Sequence, residues 1–335
     1  MGSYKVTDGG VDLGSGKLEL PNTVSPEARA YLCFDPGQGQ GDAPEVPMWQ
    51  MRDALAPMFE YLNQQALAAY PATVQEMPIG GVRCHMVRPV EQPEATKGKV
   101  LINLHGGGFV MGAESLVEAI PIANETGCPV IAVDYRLAPE NPYPAAVDDV
   151  VAVYREVLKY HAAADVALFG TSAGGFLTAM AIMRFKAEGL PLPACCGVFT
   201  AGGDIAELGD TFNYLTLSGF YGNVSKPVDH PESERGAFLR GADRNDPLVA
   251  PIKGDLSSFP PCLLVTGTRD SVLSSAAMLH RALRRAGREA ELYVFEAMPH
   301  AFWYSVAMPE AQEAISIMAR FFERHLDIGK PGTAG

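Results

Sequence analysis

Long apolar runs are missing from this chain: its longest, such as Leu177 to Met183, fall far short of the about 18 residues that a membrane span requires. Basic residues are few. Lys and Arg number 26 against 39 Asp and Glu, and the net charge of −13 repels a phosphate backbone, which excludes nucleic acid as a partner held by charge. The six cysteines, Cys33, Cys84, Cys128, Cys195, Cys196 and Cys262, nowhere take the two-residue spacing of a zinc or thioredoxin-type site. All but Cys33 lie in or beside apolar stretches that read as strands, where cysteine packs as a small hydrophobe. Reduced thiols of this kind suit a cytoplasmic protein. Met1 to Val11 lacks the apolar centre of a signal peptide. None of the histidines forms H-E-x-x-H with a neighbour, so a zinc hydrolase is not indicated, and no cofactor is called for.

What is present is an ordinary globular composition, 47% hydrophobic and 19% charged, over 335 residues. That length fits two domains, or one large α/β domain with an appended piece. Residues 1–22 are Gly-rich and polar without period and read as a loose terminus. Ser25-Pro26-Glu27 starts a short helix, with Ser as cap and Pro at the first helical position. Gly37-Gln38-Gly39-Gln40-Gly41 follows no strand and lacks dinucleotide-fingerprint spacing, so it reads as a loop. Met48, Met51, Leu55, Met58 and Leu62 recur every three or four residues, a helical stripe that Pro57 is expected to kink or divide.

From about residue 73 the pattern becomes β runs alternating with helical ones. The β runs are Val74–Pro78, Val82–Val87, Val100–Leu104, Val130–Val133, Val166–Phe169, Cys195–Phe199, Cys262–Val265 and Leu292–Phe295. Helical patterns near Ala145–Tyr160, Ala173–Glu188, Ser274–Ala286 and Ala311–Phe322 separate most of the later ones. Such alternation predicts an α/β fold with a mainly parallel sheet built by right-handed crossovers. Residues 202–245 interrupt it without a clear strand and read as an insertion above the strand ends.

In such a sheet the working loops follow the carboxyl ends of strands. The run ending at Phe169 leads into Gly170-Thr171-Ser172-Ala173-Gly174, a G-x-S-x-G elbow set between a strand and a helix, which exposes a serine hydroxyl at a helix N-terminus. The run Val100–Leu104 leads into His105-Gly106-Gly107-Gly108-Phe109, where successive glycines let backbone N–H groups turn toward an oxyanion. His105 reads as a hydrogen-bonded anchor of that loop. A serine nucleophile needs a base and an orienting acid, in the chain order Ser, acid, His for this sheet type. Asp270 and His300 follow two further strands in that order. Taken singly, Asp270 also fits a helix cap and His300 a loop histidine packed near Phe302 and Trp303; the constellation favours the triad. His85, His161, His230, His280 and His325 do not follow a strand in the required order, and Asp148, Asp149 and Asp246 read as structural.

These motifs resemble the hormone-sensitive-lipase family of α/β-hydrolases, also called bacterial esterase family IV, in its Gly-Thr-Ser-Ala-Gly branch. The resemblance covers residues 98–325 and includes Asp134-Tyr135-Arg136-Leu137-Ala138-Pro139-Glu140 and Asp246-Pro247-Leu248-Val249-Ala250-Pro251. It implies an eight-stranded sheet flanked by helices, with Ser172 as nucleophile, Asp270 as acid, His300 as base, and Gly107, Gly108 and Ala173 as oxyanion N–H donors. The Asp134–Glu140 segment is, in similar proteins, a structural loop below the site. Two departures stand out: Asp270 is followed by Ser271-Val272-Leu273 where the family carries Pro-Leu and a second acid, and Ala301 replaces the Gly that usually follows the base.

The expectation is a serine carboxylesterase for short acyl esters, working through an acyl-enzyme. Alternatives are a lactonase or amidase with the same triad, or, in another class, a small-ligand receptor on a hydrolase fold. Residues 1–72 and part of the 202–245 insertion are expected to form a helical cap on a catalytic domain of residues 73–335. Bulky residues there, Trp49, Phe59, Phe212, Tyr214, Phe220 and Tyr221, are candidates for the substrate pocket. An apolar run at the sheet edge, Leu292–Phe295, points to a homodimer.

Overall fold

Successive side chains of a strand point to opposite faces, so a strand covered on both sides must be apolar nearly throughout. The computed structural model, which describes residues 21–32, 47–215, 228–230 and 233–328 with the backbone of 5–7 and 10–12, is built on this rule. β1 (Lys5–Thr7) and β2 (Gly10–Asp12) pair as a short antiparallel ribbon. α1 (Pro26–Leu32) and α2 (Arg52–Ala69) follow. Then come β3 (Ala72–Ile79), β4 (Val82–Pro89), β5 (Val100–Leu104), α3 (Ala119–Thr126), β6 (Val130–Val133), α4 (Ala145–Val157), β7 (Val166–Thr171) and α5 (Ala173–Ala187). The chain continues through β8 (Cys195–Phe199), α6 (Glu234–Phe238), β9 (Cys262–Gly267), α7 (Leu273–Arg285), β10 (Ala290–Phe295) and α8 (Pro309–His325).

β3 to β10 form one eight-stranded sheet in the order β10-β9-β8-β7-β5-β6-β4-β3, parallel except where β4 pairs antiparallel with β3 and β6. All eight runs expected to be strands are in it. On β5, Val100, Ile102 and Leu104 enter one core with α4, α5 and α7, while Leu101 enters a second core with α3 and α8. β7 divides in the same way, Val166 and Leu168 against Ala167 and Phe169. α5 is buried almost all round, which places the turn at its start in the middle of the sheet's carboxyl edge. α3 was not legible as a helix: it is short, holds Pro121 and is apolar on nearly every side, so no stripe marks it.

The N-terminal helices divide their loyalties. Ser25 Oγ caps α1 by accepting from Ala28 N–H at 3.0 Å, and it also donates to Glu310 at 2.7 Å, which ties α1 to α8. α2 runs undivided through Pro57, where the sequence reading expected a kink or a division. The carbonyl that loses its donor belongs to exposed Asp53, so water can satisfy it. The buried stripe of α2 is Phe59, Asn63 and Ala66, while Met51 and Met58 are 38% and 44% exposed. Asn63 docks the helix by donating to Glu114 O at 2.9 Å and accepting from Leu116 N–H at 2.8 Å. Arg52 donates to the carbonyls of Val110 and Ala138 and pairs with Glu140 at 2.9 Å. α2 is thereby fastened to the loop that follows β5.

Candidate active site

Ser172 joins β7 to α5 with φ 57° and ψ −121°, a conformation that a residue with a side chain holds only when its surroundings over-determine it. Here they do. Ser172 N–H donates to Phe199 O at 2.9 Å, and a Cβ on Gly174 would fall 1.8 Å from the Leu104 carbonyl oxygen. Glycine is therefore required for β5 and the elbow to pack this closely. α5 begins at Ala173, so its unpaired N–H groups and positive end lie beside the Ser172 hydroxyl.

His300 follows β10 and brings Nε2 to 2.9 Å from Ser172 Oγ, while its Nδ1 lies 2.9 Å from Asp270 Oδ1. Asp270 is fully buried. Its Oδ1 also accepts from Val272 N–H at 3.1 Å in the turn before α7, whose cap position is Val272, so Asp270 is not the helix cap that its place in the sequence also allowed. Oδ2 accepts from Thr266 Oγ at 2.6 Å and from Thr200 Oγ. With its lone pairs taken up in this way, the carboxylate is held to one orientation and fixes the imidazole with Nδ1 protonated and Nε2 free to accept. Thr200 and Thr266 were missed in the sequence, although both lie at or beside strand carboxyl ends, where the sheet rule directs attention. Ala301 has φ 54°, the left-handed conformation for which glycine is the usual residue, and the imidazole still meets its partners.

Gly107 and Gly108 have φ 114° and 62° and donate to no backbone carbonyl among the described residues. A Cβ on Gly107 would meet the Met111 carbonyl oxygen at 2.3 Å. His105 anchors the loop as expected from its position: Nδ1 lies 2.7 Å from Gly106 O, the ring stacks on Tyr135 at 4.1 Å, and burial pushes its pKa down, leaving it neutral. Tyr135 donates to His105 O at 2.8 Å and Ala138 N–H to Phe109 O at 2.9 Å, so the Asp134–Glu140 segment braces the glycine loop from below.

A cavity of about 280 Å³ opens over Ser172 and His300. Phe59 and Phe212 line it, as do Gly107, Gly108 and Ala173. Met48, Met58 and Leu62 contribute from the α2 side, and Ile205, Leu208 and Arg235 from the insertion. Trp49 is partly buried against the core and Tyr214 is partly buried on the insertion; neither lines the cavity. Phe220 and Tyr221 lie outside the described residues, as does the glycine run 37–41. Asp246 accepts from Leu248 N–H at 2.9 Å in a turn, and Asp149 pairs with Arg136 at 2.8 Å, both structural contacts.

A family model described as the alpha/beta hydrolase fold matches residues 101–304, the stretch that contains the glycine loop, the elbow and the His300 loop. The chain belongs to that family. Among its relatives is an acetyl-hydrolase of Streptomyces hygroscopicus, 31% identical over 249 residues, which are 72% of this chain and 80% of the relative. The solved structure of esterase E25 superposes on this hydrolase with a TM-score of 0.80 at 30% identity, covering 93% of this chain and 98% of that one. An esterase from the bacterial hormone-sensitive lipase family superposes with a TM-score of 0.75 at 27% identity, over 90% and 99% of the two chains. The resemblance read from the motifs and the fold class are both borne out. No described helix of the hydrolase is long and apolar enough to cross a membrane.

Proposed function

We propose that the protein is a serine carboxylesterase acting on small esters with short acyl groups. The observation that carries this reading is the relay from Ser172 Oγ through His300 to Asp270, two contacts of 2.9 Å each, at the floor of an apolar cavity. Ser172 Oγ attacks the ester carbonyl carbon while His300 Nε2 takes its proton. The carbonyl oxygen becomes an oxyanion held by the N–H groups of Gly107, Gly108 and Ala173. His300 then gives its proton to the leaving alcohol, and the acyl group remains on Ser172. A water molecule, deprotonated by His300, attacks the acyl-enzyme; collapse of that second oxyanion releases the acid and restores the serine. Asp270 stays ionised and holds the imidazole.

The acetyl-hydrolase and esterase relatives support an ester as substrate. The presence of His300 in contact with Ser172 favours an enzyme over a ligand receptor. α2 and the insertion around residues 202–245 act as a cap over the site, since both line the cavity. β10 is an edge strand with Tyr293 and Val294 about 40% exposed, which supports a homodimer formed along it. The buried thiols suit a cytoplasmic location. The deciding assay is hydrolysis of a short-chain p-nitrophenyl ester by wild type and Ser172→Ala. A loss on the order of 10⁴ to 10⁶ in rate, with the fold intact by circular dichroism, is expected; turnover within tenfold of wild type would overturn the reading.

A further inference from the structure

Glu118 is a buried acid that the relay described above does not use. Glu118 precedes α3, is 5% exposed and does not line the cavity, although Tyr304 beside it does. Its Oε2 accepts from Asn103 Nδ2 at 3.0 Å, and Asn103 is itself buried on β5, two residues before His105. The same carboxyl faces three more groups: the hydroxyl of Thr171, which precedes Ser172, the indole N–H of Trp303 and the hydroxyl of Tyr304. Thr171 Oγ, Trp303 Nε1 and Glu118 Oε1 itself are buried side by side without a hydrogen bond of normal geometry among the described residues. The Tyr304 hydroxyl faces Glu118 on one side and the Gly106 amide on the other, close enough that a Cβ on Gly106 would lie 3.1 Å from it. Trp303 and Tyr304 belong to the short turn that directly follows His300 and Ala301.

The carboxyl thus bonds to the strand before the glycine loop and lies beside the residue before the nucleophile and the turn after the base, the three segments that carry the proposed chemistry. Burying a carboxyl is unfavourable unless its hydrogen bonds are made, and burial pushes the pKa of Glu118 up. An uncharged side chain would fill the space at lower cost if packing were all that the position required. We propose that Glu118 is a positioning residue for ester hydrolysis, holding Tyr304 against Gly106 so that the glycine loop and the His300 turn keep their mutual alignment. The inference rests on the esterase reading above. Its physical basis is that oxyanion donors act only when they point at the oxyanion itself, so a loosened Gly106 weakens the transition state and not the bound ester.

The test compares Glu118→Gln, Tyr304→Phe and the double variant on a short-chain p-nitrophenyl ester, with active sites titrated by an organophosphate. Each single change is expected to lower kcat about tenfold with KM within twofold of wild type, the pattern of a contact realised in the transition state. The double variant is expected to be no more than about threefold worse than the poorer single one, because both changes cut the same connection. A kcat within twofold of wild type in either single variant, losses that multiply in the double, or a lowered melting temperature with unchanged kcat per titrated site would each overturn the proposal. Should Glu118→Gln fail to fold, Glu118→Asp with Tyr304→Phe decides by the same criteria. Activity in Ser172→Ala would bring down the esterase reading; an inactive Ser172→Ala beside a fully active Glu118→Gln brings down only this inference.

Discussion

Asp270 was ambiguous as a residue in a sequence, a cap or a catalytic acid, and in the fold it lies two residues before the cap position of α7 and against His300. Its Oδ1 serves Val272 N–H and His300, and its Oδ2 is held by Thr200 and Thr266. Asp270→Asn therefore keeps the size of the side chain but offers an amide where the imidazole N–H must donate, favouring the wrong His300 tautomer. A loss in kcat of about 10⁴ is expected, with Asp246→Asn close to wild type, in steady-state kinetics on the same ester. If Asp246→Asn were the crippling change, the acid would be misassigned. The cysteines carry the opposite message. Cys84 and Cys128 are buried and their thiols are pushed up to about 12 by burial, and those of Cys195 and Cys196 are pushed up as well. A thiolate is the reactive form, so native protein at pH 8 should leave these four unalkylated by iodoacetamide and label them once urea is added. Mass spectrometry of the peptides reads the outcome, and native labelling at any of the four would contradict the burial.

At the scale of the element, α2 decides how much room the substrate has. The helix is pinned at its start by Arg52 and in its middle by Asn63, so Met58, Phe59 and Leu62 are held over the cavity. With about 280 Å³ available, the highest kcat/KM is expected on acyl chains of about two to six carbons. Within that range each added methylene is worth at most about 0.8 kcal/mol, roughly fourfold in kcat/KM. Phe59→Ala with Leu62→Ala should enlarge the cavity and move the best acyl chain upward by two or more carbons. A p-nitrophenyl ester series from acetate to decanoate measures it. Wild-type kcat/KM still rising beyond about ten carbons would mean an open groove, and the protein would have to be described as a lipase.

For the whole molecule the open question is the sheet edge. β10 ends the sheet, and β9 is its only partner among the described strands. A strand edge with free N–H and C=O groups and exposed Tyr293 and Val294 is suited to pairing with a second copy. Light scattering at working concentration is expected to give twice the 35.8 kDa chain mass, and Val294→Lys is expected to halve it without loss of the ester activity per chain. A monomer in the wild type would remove the dimer.

The strands, the order Ser172, Asp270, His300 and the glycine loop could be read along the chain, because each depends on local rules: apolar runs for strands buried on both faces, and glycine where backbones approach too closely for a Cβ. Phe59 and Phe212 were legible as bulky residues of the expected cap, but bulk alone did not separate them from Trp49 and Tyr214, which do not line the cavity. Pro57 does not divide α2 because the carbonyl it leaves without a donor is on the exposed side, which a local rule for proline takes no account of. It took the packed fold to show that Thr200 and Thr266 hold Asp270, that Arg52 and Asn63 fasten α2 over the site, and that Glu118 lies beside Tyr304. These are contacts between segments far apart in the chain. No periodicity or motif encodes them, since a buried polar group finds its partner only when the sheet brings their strand ends together.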